Sequence, residues 1–113
     1  MHEMAIAQGI YEIVTDAATN NGADKISRIK LQVGQLTAIE PEALRFCFAA
    51  MAVGTNAEGA ELEIEIIPLI SRCQDCSKSF AVEQLRFVCP DCGSIRTEIT
   101  SGRELRVEHL EVE

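Results

Sequence analysis

Apolar residues at helical spacing mark two segments of the chain. Over residues 3–20 they recur every three or four positions, at Ile6, Ile10, Ile13, Val14 and Ala17, with Met4, Ala7, Tyr11 and Ala18 beside them. Over residues 41–53 the same spacing appears at Leu44, Cys47, Phe48 and Met51. Pro41 suits the first position of a helix, where its missing N–H is not needed, and Gly54 ends the segment. The pattern predicts helices over 3–20 and 41–53.

Residues 26–33, 61–68 and 103–112 alternate apolar and polar side chains, which is typical of strands with one buried face. In the second of these strands we expect the apolar residues to face inward and the glutamates outward; the apolar set is Leu62, Ile64 and Ile66. In the third, we expect Leu105 and Val107 on one face, and Leu110 and Val112 on the other. The change of phase near Glu108 and His109 indicates a β-bulge.

Residues 69–98 differ from the strands on either side because they hold few apolar side chains and two pairs of cysteines. We interpret them as a module inserted between the second and third strands. The predicted fold class is therefore α+β, with two helices on a small three-stranded sheet and an inserted zinc-ribbon-like knuckle module. We expect two domains, an α/β domain formed by residues 1–68 plus 99–113 and a zinc-binding domain at 69–98.

Four of the five cysteines follow the pattern C-x2-C-x12-C-x2-C, at Cys73, Cys76, Cys89 and Cys92. Two intervening residues let one tight turn present both sulfurs to the same ion, and two such turns complete a tetrahedron. Zinc suits four thiolates because it is borderline soft and accepts tetrahedral geometry without redox chemistry. Four protein ligands leave no position for water or substrate, so the pattern predicts structural zinc and a module that folds only with its metal.

Two other chemistries use the same cysteines, namely a rubredoxin-like iron site and a thiol–disulfide switch. A full disulfide framework is not expected, because the cysteine count is odd and the N-terminus lacks the basic region of a signal peptide. Cys47 lies in an apolar segment, so we expect it to be a buried core thiol.

The acidic composition narrows the range of partners. Lys plus Arg total 10 and Asp plus Glu total 18, which gives a formal net charge of −8. This field repels polyanions, so nucleic acid is not expected as a partner, whereas a divalent cation or a basic protein surface is. Solubility alone would also account for the charge. No charge-free run is long enough to span a bilayer, so a cytoplasmic location without membrane contact is expected.

The first three residues, Met1, His2 and Glu3, have metal-binding chemistry, although such a start also arises by chance. An α-amine and an imidazole both deprotonate near neutral pH. The amine of Met1, the backbone nitrogen and imidazole of His2, and the backbone nitrogen of Glu3 can form fused chelate rings around one ion. Square-planar nitrogen coordination of this kind suits Ni(II) or Cu(II). An N-terminal extension would destroy such a site.

Several segments occur together in a recognisable order. They are the opening MHEM, the TAIEPEALRF segment at 37–46, the EGAELEI segment at 58–64 and the two cysteine pairs. This ordered set resembles the HypA/HybF family of nickel metallochaperones, which act in [NiFe]-hydrogenase maturation and, in some organisms, for urease. The resemblance covers essentially the whole chain, and it is the set that is specific, since no single motif is unique to the family.

The resemblance implies a role for each matching residue. His2 matches the nickel-binding histidine of the family, and Met1 and Glu3 belong to the same site, which makes residues 1–68 plus 99–113 the nickel-binding domain. Glu40 occupies a position that is acidic in relatives, so it is a further candidate. The four cysteines match the zinc site. The implied partners are a HypB-type GTPase and the hydrogenase large-subunit precursor.

We therefore expect a nickel carrier and not an enzyme. The sequence has no convincing nucleophile–base pair and no GxxxxGK[ST] loop for nucleotide phosphates. The alternative is a zinc-ribbon adaptor that binds protein or nucleic acid without nickel chemistry. His109 matches no family role and is expected at the surface of the last strand. The sequence is compatible with a monomer or a homodimer, and with hydrogenase or urease as the client.

Overall fold

The computed structural model describes residues 2–113, and its fold is of the predicted α+β class. The helices are α1 (Glu3–Asn20) and α2 (Pro41–Ala52), and a short 3-10 turn lies at Gln35–Thr37. The strands are β1 (Ile26–Gly34), β2 (Glu61–Ile67), β3 (Ile70–Cys73), β4 (Ser79–Ala81), β5 (Thr97–Ser101) and β6 (Leu105–Val112). Both helices and the three longer strands therefore lie where the periodicity predicts them.

The main sheet has the strand order β2-β1-β6. The central strand, β1, is parallel to β2 and antiparallel to β6. A parallel pair requires a crossover connection, and α2 lies in the crossover between β1 and β2. Alternate residues of β1 face opposite ways, so Ile29 and Leu31 are fully buried while Arg28 and Lys30 form ion pairs with the glutamates of β2.

One apolar core joins this sheet to the two helices. Its buried members are Ala7, Ile10, Val14, Ala18, Ile26, Ile29, Leu31, Val33, Ile39, Leu44, Phe48, Ala52, Ala57 and Leu62. The Phe48 ring of α2 packs 6.5 Å from the Tyr11 ring of α1, centroid to centroid. Burial of one such large side chain stabilises the fold by about 1.5–3 kcal/mol. Within residues 2–113, no position between 65 and 106 belongs to this core.

The expected bulge is present in β6, but its consequence differs from the prediction. His109 pairs with Lys30 and Val107 pairs with Leu31, so Glu108 is an extra residue on β6. The prediction that Leu110 and Val112 face away from Leu105 and Val107 is wrong. The extra residue restores the phase of the strand, and Val107 and Leu110 both pack on the core.

Three apolar residues are more exposed than predicted. Ile66 is 47% exposed because the core extends along β2 only as far as Ile64. Ile13 is 56% exposed and lines a groove of about 440 Å³ between α1 and β6. Cys47 is half-buried at the flank of the core and not fully buried within it, because the core face of α2 is formed by Leu44 and Phe48.

A second sheet occupies residues 70–101, with the strand order β4-β3-β5 and antiparallel pairing throughout. No pattern in the sequence predicted this sheet. Its strands have three to five residues, which is too short for alternation to be recognised. The last of them, β5, continues to Ser101, so residue 98, where the inserted module was expected to end, lies within a strand.

The two sheets meet where two glycines approach closely. The Gly34 N–H donates to the Glu104 carbonyl at 2.6 Å, and the Leu36 N–H donates to the Gly102 carbonyl at 2.9 Å. A Cβ atom on Gly34 would overlap that carbonyl, and one on Gly102 would lie 2.6 Å from the Cα of Leu69. Gly102 also has φ +110°, which side chains rarely allow. The junction therefore requires glycine at both positions.

Candidate metal centres

The four paired cysteines meet at one end of the second sheet. Cys73 is the last residue of β3, Cys76 lies in the turn that follows, and Cys89 and Cys92 belong to a second turn before β5. Their Sγ atoms all lie within 4.8 Å of one another, with Cys73–Cys92 at 3.6 Å and Cys76–Cys89 at 3.5 Å. Tetrahedral zinc with Zn–S bonds of about 2.3 Å places sulfurs about 3.8 Å apart. The arrangement fits structural zinc, and these distances are much longer than a disulfide bond.

The two cysteine turns repeat the same backbone hydrogen bonds. The Ser77 N–H donates to the Cys73 carbonyl at 2.9 Å, and the Gly93 N–H donates to the Cys89 carbonyl at 3.0 Å. Each leading cysteine also donates its own N–H to the carbonyl five residues later, at 2.8 and 3.0 Å. Ser77 and Gly93 both adopt left-handed backbone, with φ +67° and +75°. The sequence signalled this conformation only at Gly93, because serine carries no comparable preference.

Polar contacts between the two turns escaped the sequence analysis. Asp75, inside the first cysteine pair, accepts hydrogen bonds from the Ser94 hydroxyl and from the Arg96 guanidinium, the latter at 2.9 Å. Lys78 approaches Asp91, inside the second pair, at 3.2 Å. Exposed ion pairs contribute little to the free energy of unfolding. We therefore expect these contacts to orient the two turns relative to each other and not to stabilise the fold.

The thiol groups influence one another's ionisation. The backbone N–H of Cys76 is the main cause that lowers the pKa of Cys73 to about 7. For Cys92, the N–H of Ser94 lowers the pKa, but the Cys73 thiol, burial and the Cys89 thiol raise it by more, to about 12. Four thiols this close cannot all lose their protons without a cation among them, because the thiolate charges repel one another. The donor set therefore matches a divalent metal.

His2 stands exposed at the start of α1, where it is the N-cap residue. The first bond of the helix runs from the Ile6 N–H to the His2 carbonyl, at 3.2 Å. The first N–H groups of a helix have no acceptor within it, so the backbone nitrogens of His2 and Glu3 are not needed for the helical hydrogen bonds. Met1, whose amine belongs to the predicted nickel site, lies outside the described residues.

Glu3 and Glu40 lie side by side although 37 positions separate them. The Glu3 carboxylate accepts a hydrogen bond from the Glu40 N–H at 3.3 Å, and the Glu40 carboxylate accepts one from the Ala43 N–H at 2.7 Å. The Glu40 N–H, followed by the N–H of Glu3 itself, lowers the pKa of the Glu3 carboxyl. Both carboxylates therefore face the start of α2. The resemblance made Glu40 a further candidate at the N-terminal site, but no sequence pattern indicated the hydrogen bond between Glu3 and Glu40.

His109 and Cys47 lie outside the cysteine cluster. His109 is exposed on β6, where its Nε2 lies 3.8 Å from the Glu111 carboxylate. Over residues 2–113, the four paired cysteines are the only group of three or more histidine, cysteine or acidic side chains close enough to hold one ion. In the same part of the chain, every helix is too short or too polar to cross a membrane.

An α+β fold with a four-cysteine centre that fits structural zinc is typical of a small metal-binding protein. The family model for hydrogenase/urease nickel incorporation, metallochaperone HypA, matches residues 1–112. The chain therefore belongs to the HypA family of nickel metallochaperones for hydrogenase maturation. In this family nickel is the cargo, and the four-cysteine group of this chain fits a structural zinc.

Individual relatives align with this chain over its full length. Hydrogenase maturation factor HypA from Desulfitobacterium hafniense (strain DSM 10664 / DCB-2) is 46% identical over 113 residues, covering 100% of this chain and 99% of the relative. Hydrogenase maturation factor HypA from Azotobacter chroococcum mcd 1 is 45% identical over 113 residues, covering 100% of this chain and 100% of the relative. The solution structure of the Ni metallochaperone HypA from Helicobacter pylori has a TM-score of 0.70 at 28% identity, over 99% of this chain and 97% of that one.

Proposed function

We propose that this protein carries one Ni(II) ion at its N-terminus and delivers it to the precursor of the [NiFe]-hydrogenase large subunit. The observation that carries the proposal is the exposed His2 at the N-cap of α1, in a chain of the HypA family. The zinc site proposed at Cys73, Cys76, Cys89 and Cys92 is closed, so the cargo must bind elsewhere.

The proposed nickel ligands are the amine of Met1, the backbone nitrogen and imidazole of His2, and the backbone nitrogen of Glu3. Loss of the amide protons from these two residues leaves the helix intact, because its first hydrogen bond starts at Ile6. Two deprotonated amides also offset the charge of Ni(II). A neutral site avoids the repulsion that a bare cation would meet at the positive end of the helix dipole.

Such a site suits a carrier that must release its ion. The ligands come from three consecutive residues at one end of the chain, and His2 is exposed, so competing ligands of a client can displace them one at a time. The role proposed is transfer and not catalysis. The proposed partners are a HypB-type GTPase and the large-subunit precursor, and the proposed location is the cytoplasm.

Calorimetric titration of the untagged, zinc-loaded protein with Ni(II) tests the proposal. We expect about one nickel per chain at micromolar affinity, about −8 kcal/mol, and loss of this binding in His2→Ala. His109→Ala is the matched control, since it removes an exposed imidazole from β6 and should leave the titration unchanged. Equal binding by wild type and His2→Ala, or no binding by either, would contradict the proposal.

A further inference from the structure

The start of α2 is capped in an unusual way. Glu40 is the N-cap residue, and its carboxylate accepts the N–H of Ala43, the third residue of the helix. In a capping box, a Glu or Gln at that third position reaches back and accepts the N–H of the N-cap residue. Ala43 has no group that could do so. Half of the box is therefore missing from α2 itself.

The missing half comes from the other helix. The Glu3 carboxylate, in the first turn of α1, accepts the N–H of Glu40 at 3.3 Å. The box is thus completed across two helices, and the residue that completes it follows His2 directly. The positive end of the α2 dipole attracts a carboxylate in this place. The beginning of α1 is in this way tied to the beginning of α2.

We propose that Glu3 is a positioning residue for nickel, whose carboxylate completes the cap of α2 and so fixes the backbone of residues 2 and 3, and that Glu40 supports it without binding the ion. This inference rests on the nickel site proposed above. One oxygen of each carboxylate already accepts a backbone N–H, of Glu40 or of Ala43, so rotation of either group away from α2 toward nickel would give up a hydrogen bond of the cap. The sequence resemblance placed both residues in the nickel site; their hydrogen bonds favour a supporting role for both side chains.

The Glu3 side chain can be tested by a conservative rescue. Nickel titration and the visible absorption spectrum of bound Ni(II) should be measured on untagged, zinc-loaded wild type, Glu3→Ala and Glu3→Gln. Glu3→Ala removes the acceptor, and we expect the affinity to fall by about tenfold, as for other groups that orient metal ligands. Glu3→Gln keeps an oxygen that accepts the N–H, so it should restore the affinity and the wild-type spectrum.

Two further variants separate positioning from fold stability and from charge. Ala43→Glu supplies the local half of the box, so in the double variant Glu3→Ala with Ala43→Glu we expect the melting temperature to recover while nickel affinity stays low. Glu42→Gln removes one negative charge at the same helix end, from a side chain that pairs with Arg45. It should leave the affinity unchanged.

The outcomes are distinguishable. Loss of nickel binding or an altered spectrum in Glu3→Gln would make the carboxylate a ligand and overturn the inference. Wild-type affinity in Glu3→Ala would also overturn it, because the tie between the helices would then be irrelevant to nickel. Absence of nickel binding in the wild type would instead refute the proposed function itself.

Discussion

Single residues determine how the two sheets are joined. Gly34 and Gly102 approach so closely that neither position has space for a side chain, whereas a Cβ on Gly9 would meet no atom within 4 Å. Gly34 lies at the end of β1 and Gly9 in the middle of α1. The same substitution should therefore have opposite effects at these two places.

We expect Gly34→Ala to destabilise the protein by about 2 kcal/mol, because the added methyl group must displace the backbone at Gly102. Gly9→Ala should instead stabilise it by about 1 kcal/mol, since alanine is the better helix former and space is available. Urea unfolding of the zinc-loaded proteins measures both. Equal effects of the two variants would show that the junction tolerates a side chain.

The turn between β5 and β6 contains a carboxylate whose ionisation should affect stability. Glu104 accepts a hydrogen bond from the Gly102 N–H at 2.7 Å. Its own N–H is the first cause that lowers its pKa below the ordinary 4.5, followed by that of Gly102 and by Arg106 and Arg103. A lowered pKa means that the ionised form is favoured in the folded state, so this contribution is present above pH 4.5 and lost as the pH falls through the folded pKa.

Glu104→Gln keeps the acceptor but cannot ionise. We expect the unfolding free energy of the wild type, minus that of this variant, to be constant above pH 4.5 and to decrease below it. Urea unfolding of both proteins across that range gives the difference, in which the titrations of all other groups cancel. A difference that is flat with pH, or that grows on acidification, would contradict the assigned role of Glu104.

At the scale of elements, sequence periodicity was informative where an element was long enough. The 18 residues of α1 and the 12 of α2 repeat the helical spacing several times, and both helices form where predicted. The strands of the second sheet, at three to five residues, are too short to show alternation. The predicted orientation of Leu110 and Val112 in β6 was wrong. The change of phase was interpreted as a change of face, whereas the bulge at Glu108 keeps Val107 and Leu110 on the core face.

The metal centres likewise include features that local sequence patterns predict and contacts that they do not. The spacing of the cysteines was sufficient to predict their convergence, because each pair lies within one turn. The contact between Glu3 and Glu40 joins residues far apart in sequence, so no local pattern carries it. Ser77 and Gly93 share a left-handed backbone conformation, and the sequence indicates it only at position 93, because glycine favours that conformation and serine does not.

The bulge itself can be tested by deletion. Removal of Glu108 leaves Val107 opposite Leu31 and His109 opposite Lys30, so β6 becomes a regular strand and Leu110 stays opposite Ile29 on the core face. We expect this deletion to change stability by less than about 1 kcal/mol. Removal of both Glu108 and His109 would instead place Leu110 opposite Lys30 and turn it away from the core, with an expected loss of about 2–4 kcal/mol, comparable to truncation of a core leucine. Thermal and urea unfolding would reveal a misassigned register if the two variants behaved alike.

At the scale of the whole molecule, the chain is elongated, with principal extents of 55 × 25 × 16 Å. The main core takes no member from residues 65–106 within the described chain. Between those positions the fully or nearly buried residues are few, namely Leu69, Ser71, Cys73, Val82, Cys89 and Gly102. We propose that residues 69–101 fold as a unit around zinc, while the helices and the main sheet are stable without it.

Removal of zinc should therefore act locally. We expect a chelator to abolish slow amide hydrogen exchange within β3–β5, whereas far-UV helical signal and the slow exchange of β1 should persist. Cys73→Ser should reproduce this effect, and Cys47→Ser, outside the cluster, should not. Loss of helical signal together with zinc would show that the two parts fold as one cooperative unit.

The most direct test of the two-site account is X-ray absorption at both metal edges of one sample, the untagged protein loaded with one zinc and one nickel. The account predicts four sulfur neighbours at about 2.3 Å around zinc and only nitrogen or oxygen neighbours around nickel, with the nickel spectrum lost in His2→Ala. Sulfur coordination at nickel would contradict it, because the cargo would then be held by the cysteines and not by the N-terminus.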